Sequence, residues 1–159
     1  MNMTKSLAPD KNRIKVVSAL EFLRTELIDL MFQVEKAHGT VKEPGFTALH
    51  DLFDKVWEGS CEYADRIAQR IGQLGEIPRE TSEWMSSKNR SAQYFGAIVS
   101  GREQVAALAS RLSLLGREIR ISSLSAGASK DGETAFLFKE IGLAMEKYLR
   151  LAGTIRPDR

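Results

Sequence analysis

From Ile14 to His38 the apolar residues return every three or four positions: Val17, Leu20, Leu23, Leu27, Leu30, Met31 and Val34. That interval marks one face of an α-helix, and no proline or glycine interrupts the run. A break follows at Gly39–Gly45, with Pro44 inside it. A second helix is predicted over Phe46–Leu74, stopped by Gly75, a residue favoured just past a helix end. Residues 76–92 read as a polar connection with a short helical turn around Glu80–Met85, to which Trp84 and Met85 give something to bury. A third helix is predicted over Gln93–Ile121, carrying Phe95, Ile98, Val99, Val105, Leu108, Leu112, Leu115 and Ile119. Residues 122–133, rich in Ser, Gly and Ala, read as a loop. The last helix starts near Thr134, carries Phe138, Ile141, Met145 and Leu149, and gives way to a tail after Gly153. Residues 1–12 are polar and read as a flexible arm. Four amphipathic helices with a long middle connection predict an all-α four-helix bundle. The chain divides into the arm (1–12), the bundle (13–153) and the tail (154–159).

Composition narrows the class. The chain has 159 residues, 43% hydrophobic and 28% charged, which suits one globular domain with a real core. Its 23 basic and 21 acidic side chains leave a net charge of +2, unlike a strongly basic nucleic-acid protein or an acidic disordered tail. One cysteine, Cys61, excludes an intrachain disulfide and fits a reducing cytoplasm. No stretch approaches the roughly 18 continuous apolar residues of a membrane span, and the N-terminus lacks the pattern of a signal peptide.

The second helix carries the chemistry. At about 100° per residue, Phe46, Leu49, Phe53, Ala64, Ile67 and Ile71 fall on a core stripe. His50, Asp54, Glu58, Cys61, Asp65 and Gln69 fall on a separate stripe, within an arc of roughly 100° by the same arithmetic. Few lysines or arginines neutralise its acids, and it holds His50, one of only two histidines. His50 and Asp54 sit one turn apart, as do Asp65 and Gln69. The two pairs are separated by about 16 Å along the axis at 1.5 Å per residue, so one copy of the helix cannot bring them together. Two antiparallel copies can, if a two-fold axis crosses the helix between the pairs, and an isologous interface then generates two equivalent sites. His38 is the other histidine available to complete each site. A nitrogen–oxygen donor set without thiolate suits iron, zinc or manganese better than copper(I) or a cluster. Cys61 reads either as a small buried hydrophobe or as an oxidisable thiol near a metal. A diiron centre inside one bundle needs two Glu-x-x-His motifs; Glu35-x-x-His38 fits once, and Thr47 stands where the second needs its glutamate.

Gly45-Phe46-x-x-Leu49-His50-x-x-Phe53-Asp54, followed by Asp65-x-Ile67-Ala68-x-Arg70-Ile71-x-x-Leu74-Gly75, resembles the signature of the Dps mini-ferritins. Thr134-Ala135 and Glu146-Lys147 echo the family's C-terminal pattern. The resemblance runs from the first helix to Gly153. It implies a ferritin-like four-helix bundle with a short helix in the middle connection, assembled from two-fold dimers into a hollow dodecamer. It implies uptake of Fe(II), its oxidation, usually by hydrogen peroxide, storage of ferric mineral and protection of DNA from oxidative damage. Carried over by position, His38, His50 and Asp54 come from one subunit, and Asp65 and Gln69 from its partner, as catalytic and iron-binding residues. Asp51 corresponds to a position of mineral nucleation, and Glu58 is assigned with it.

The departures from the family pattern all weaken iron chemistry. Gln69 stands where the family has glutamate; an amide offers an oxygen but no charge and no bridge between two irons. Gly39 and Arg150 replace tryptophans near the centre, Phe136 replaces an aspartate of the iron-admitting pore, and Lys55 replaces an acid near the nucleation cluster. The resemblance thus implies an impaired ferroxidase, or a cage without ferroxidase activity that binds DNA or a partner. Lys5, Lys11, Arg13 and Lys15 mark the N-terminal arm as the DNA-contacting element. Assembly would multiply its weak, sequence-independent phosphate contacts, and a cytoplasmic or nucleoid location follows.

Overall fold

The computed structural model describes residues 11–42, 44–80 and 100–156. Four long helices run α1 (Lys11–Thr40), α2 (Thr47–Gln73), α3 (Gly101–Ala128) and α4 (Gly132–Gly153). α1 packs along α2 and α3 along α4, and the two hairpins join through α2 against α4 and α1 against α3. The core follows the apolar periodicity: Leu20, Leu27, Leu30 and Val34 of α1, Leu49, Phe53, Ile67 and Ile71 of α2, Leu108, Leu112, Leu115 and Ile119 of α3, and Phe138, Ile141 and Met145 of α4 are all buried. Among the described residues no helix is long and apolar enough to cross a membrane.

The expected boundaries shift most at three places. α1 already includes Lys11 and Asn12, which the sequence assigned to the arm. α3 does not run through from Gln93. Ser100 is extended (φ −81°, ψ 140°), and its side chain accepts from the Glu103 backbone N–H at 3.1 Å, the geometry of an N-cap. Residues 93–99 lie outside the described residues, as do 81–85 of the expected turn, whose Glu80 is in irregular chain. At its other end α3 continues to Ala128 instead of stopping at Ile121. Buried Ala126 and a bond from the Ser123 hydroxyl to the Ala135 carbonyl (3.1 Å) tie the Ser/Gly-rich stretch to α4, and packing overrides its weak propensity.

Two helix ends close with the same motif. Past α2, Glu76 N–H bonds the Ile71 carbonyl (3.2 Å) and Gly75 N–H the Gly72 carbonyl (3.0 Å), with Gly75 at φ 87°. Past α3, Asp131 N–H bonds the Ala126 carbonyl and Lys130 N–H the Gly127 carbonyl, both at 3.0 Å. There the left-handed position is held by Lys130 (φ 62°), a side chain that this conformation disfavours.

The bundle interior also holds an ionic cluster. Glu26, Asp29 and Gln33 of α1 and Gln104 and Arg111 of α3 are buried. Arg111 pairs with Glu26 and stands 3.8 Å from Asp29, which accepts from the Gln33 amide at 2.9 Å.

Candidate metal centre

His38 lies in the last turn of α1 and His50 in the first turn of α2. The break between the helices folds back so that the two imidazoles meet, with ring centroids 4.9 Å apart. His38 Nε2 is 3.3 Å from Asp54 Oδ1. The buried Phe53 ring backs both imidazoles at 6.4 and 6.5 Å. Val41 N–H continues the helical bonding of α1 to the Ala37 carbonyl (3.0 Å), and the Val41 carbonyl is 2.6 Å from His50 Nε2. A carbonyl only accepts, so Nε2 is the donor, and in the neutral tautomer that does this the lone pair is on Nδ1. A ligating histidine commonly donates its second ring N–H to such a carbonyl, which fixes tautomer and orientation. In the neutral ring Nδ1 is then the nitrogen left for a metal.

This cluster opens to solvent. The side chains of His38 and Asp54 are 44% and 66% exposed. Asp65 and Gln69 are exposed too, farther along α2. Among the described residues, no three His, Cys, Asp or Glu side chains converge as a metal-holding group. The structure places the His38 ring beside the His50 ring and beside Asp54, and leaves Asp65 and Gln69 farther along α2, as the helix spacing requires of a single copy. Asp51 and Glu58 are exposed on α2, and Cys61 is half-buried on the same stripe. Glu35 is exposed on α1 and does not enter the bundle interior.

Other assignments land differently. Lys11 and Lys15 are exposed on α1, and Lys5 lies outside the described residues. Arg13, expected on a mobile DNA-contacting arm, is helical and engaged: its guanidinium donates to the Leu74 carbonyl (2.9 Å) and pairs with Glu76 (3.2 Å). Phe136 is 65% exposed near the start of α4. Gly39 borders open space, where an added Cβ meets nothing within 4 Å.

Sequence reasoning missed two sets of residues. Glu26, Asp29 and Gln33 fall at helical spacing beside the core positions of α1, and that acidic register inside an apolar stripe was the available signal. The second set ties α2 to α4. Arg70 Nη2 bonds Asp131 Oδ1 (2.9 Å), Nε bonds the Thr134 hydroxyl (2.9 Å), and Nη1 reaches Glu133 (2.5 Å) and Gln73 (3.0 Å). Arg66 pairs with Glu140 beside it. Burial by itself pushes the Asp131 carboxyl up, but the Thr134 hydrogen bonds and the Arg70 cation outweigh it and hold it below the ordinary carboxylate value. Burial, reinforced by neighbouring acids, pushes the Tyr63 and Tyr148 phenols up.

Comparison with known proteins gives these elements a context. A model of the ferritin-like domain matches residues 17–147. The chain is 27% identical over 146 residues to the DNA protection during starvation protein of Agrobacterium fabrum, covering 92% of this chain and 90% of that protein. It is 26% identical over 136 residues to DNA protection during starvation protein 2 of Deinococcus radiodurans, covering 84% of this chain and 55% of that longer protein. Among solved structures, a Dps of Mycobacterium smegmatis superimposes with a TM-score of 0.81 at 23% identity, covering 91% of this chain and 88% of that one.

Proposed function

The chain belongs to the ferritin-like family, with Dps proteins as its relatives in sequence and structure, and from that premise we propose that it forms a Dps-type cage. The cage takes up Fe(II), oxidises it with hydrogen peroxide at a site shared by two-fold-related copies, stores the ferric product and so shields DNA. The observation that carries this reading is the paired imidazoles with Asp54 beside them, an open half-site whose missing carboxylate stands on the same helix face about 16 Å away.

In this mechanism iron is the substrate. His38, His50 and Asp54 of one copy bind Fe(II), and Asp65 of the facing copy supplies the further carboxylate. The imidazoles hold the ion without adding charge, and the two carboxylates stabilise the ferric state more than the ferrous one. Two Fe(II) give two electrons to one peroxide; its O–O bond breaks, and two protons complete two waters. Ferric ions then leave for Asp51 and Glu58, the proposed nucleation side chains. A cytoplasmic setting supplies both reactants.

Gln69 favours a second, narrower reading: a cage with little or no ferroxidase activity that binds DNA or another partner. As a neutral amide it holds one ion through an oxygen but does not bridge two. Peroxide-driven oxidation of anaerobic Fe(II), followed beside size-exclusion sizing, separates the readings. A dodecamer that oxidises iron faster than buffer, and faster still after Gln69→Glu, supports the first. A dodecamer at the buffer rate, unmoved by Gln69→Glu, leaves the second. A gel-shift titration with and without residues 1–12 tests DNA, for which salt-sensitive binding is expected.

A further inference from the structure

We propose that Arg70, with Arg13 opposite it, is a positioning residue for the shared metal site: the two guanidiniums pin the C-terminal end of α2 from both sides and thereby set where Asp65 and Gln69 stand. The inference rests on the inter-subunit site proposed above.

Helix ends fray and open at lower free energy than helix centres. Gln69 is one turn from Gln73, the last residue of α2, and Asp65 is one turn further in. These two side chains face solvent in the single chain, so nothing on their own side holds them. The holding groups are on other faces. At about 100° per residue, Arg70 points roughly 140° away from Asp65 around the helix. There it meets α4, where Asp131, Glu133 and Thr134 each accept from its guanidinium. The Arg70 side chain is only 15% exposed, which makes the clasp less open to competition from water than a surface pair. The same Asp131 caps α4 by accepting from Thr134 N–H at 3.0 Å. Arg70 thus locks the end of one helix to the start of another. From α1, Arg13 takes the Leu74 carbonyl, the C-cap of α2, and the Glu76 carboxylate just beyond it.

The clasp and the site also share a surface. A depression of about 390 Å³ between α2 and α4 is lined by Arg66, Gln69, Arg70, Glu133 and Phe136. Its wall includes both the clasping guanidinium and the weak member of the ligand set. A tilt of this end therefore moves Gln69 directly and Asp65 with it. Binding sites need their groups held within about 0.5 Å, and loss of an outer partner typically lowers metal affinity by about 10–100-fold.

The test uses Co(II), whose visible absorption reports its ligand field without turnover. Wild type, Arg70→Gln, Arg70→Lys and Arg120→Gln chains are sized as assembled oligomers and titrated with Co(II). Arg120→Gln removes the same charge from an exposed pair with Glu146 on the far hairpin. Arg70→Gln is expected to bind Co(II) at least about tenfold more weakly at unchanged helix content and oligomer size. Arg70→Lys, which keeps the charge but loses the fork, recovers part of the affinity. Arg120→Gln matches wild type. If Arg70→Gln fails to assemble, Arg13→Gln carries the same expectation. Wild-type affinity in Arg70→Gln (or in Arg13→Gln, when it stands in), or an equal loss in Arg120→Gln, overturns the inference alone. A wild-type chain that binds no Co(II) overturns the functional reading and the inference with it.

Discussion

Replacing Arg111 by methionine tests what holds α1 against α3. Arg111 is 3% exposed, and the carboxylates it serves, Glu26 and Asp29, are 4% and 3% exposed. Methionine retains most of the side chain's length and packing, so the change removes mainly the guanidinium. Two buried carboxylates then lose a cation that pairs with one and stands 3.8 Å from the other. Breaking a buried pair by deleting one partner costs about 3–5 kcal/mol, because a desolvated charge is left behind. For a chain of this size each kcal/mol shifts Tm by about 2–4 °C, so a fall on the order of 6–20 °C is expected. Urea unfolding of wild type and variant, read by helical circular dichroism, measures the difference. The triple variant with Glu26→Gln and Asp29→Asn should recover most of the loss, since the two side chains that lost the Arg111 cation are then neutral. A single variant within about 1 kcal/mol of wild type, or a triple variant no better than the single one, would refute the reasoning.

Other outcomes follow from particular contacts. Lys130→Gly relieves a left-handed side chain at the α3 end and should stabilise the chain by about 1 kcal/mol, visible as a raised urea midpoint. Gly59→Ala places a Cβ 2.0 Å from the Tyr148 hydroxyl, so the buried Tyr148 ring must move; a loss of about 1–3 kcal/mol is expected in the same assay. Asp131 has a depressed carboxyl pKa, so its stabilisation is complete above the unfolded value near ~3.9 and disappears as pH falls through the lower folded value. Wild type should accordingly exceed Asp131→Asn in stability at neutral pH and match it in strong acid; a gap that persists in acid would contradict the Arg70 and Thr134 account.

The helices were legible because each rests on local periodicity. A stripe at 3.6-residue spacing needs no knowledge of partners, and the proposed ligands His50, Asp54, Asp65 and Gln69 were picked out because they share one. The convergence of His38 on His50 followed from a short break between two antiparallel helices. The sequence was less informative wherever long-range contacts override local preference. Residues 122–128 look like a loop, yet Ala126 and Ser123 fix them to α4. Lys130 does the work usually given to glycine, so the end of α3 carried no glycine signal at that position. Arg13 looked like a free basic residue until the end of α2 arrived beside it. Arg70 belonged to a recognisable motif, but its three acceptors at the start of α4 and on its cap lie more than 60 positions away in the chain. Arg111 was hidden for the same reason: an arginine within an apolar helix run declares a buried partner only once α1 is placed against α3.

Iron oxidation by this protein turns on whether two copies complete one site. A crystal structure of the assembled protein soaked anaerobically with Fe(II), read by anomalous scattering at the two-fold interface, tests this most directly. The predicted result is iron bound by His38, His50 and Asp54 of one copy and by Asp65 of the other, with Gln69 at its edge. Iron held within one bundle, or an interface that keeps Asp65 beyond coordination distance of those imidazoles, would contradict it.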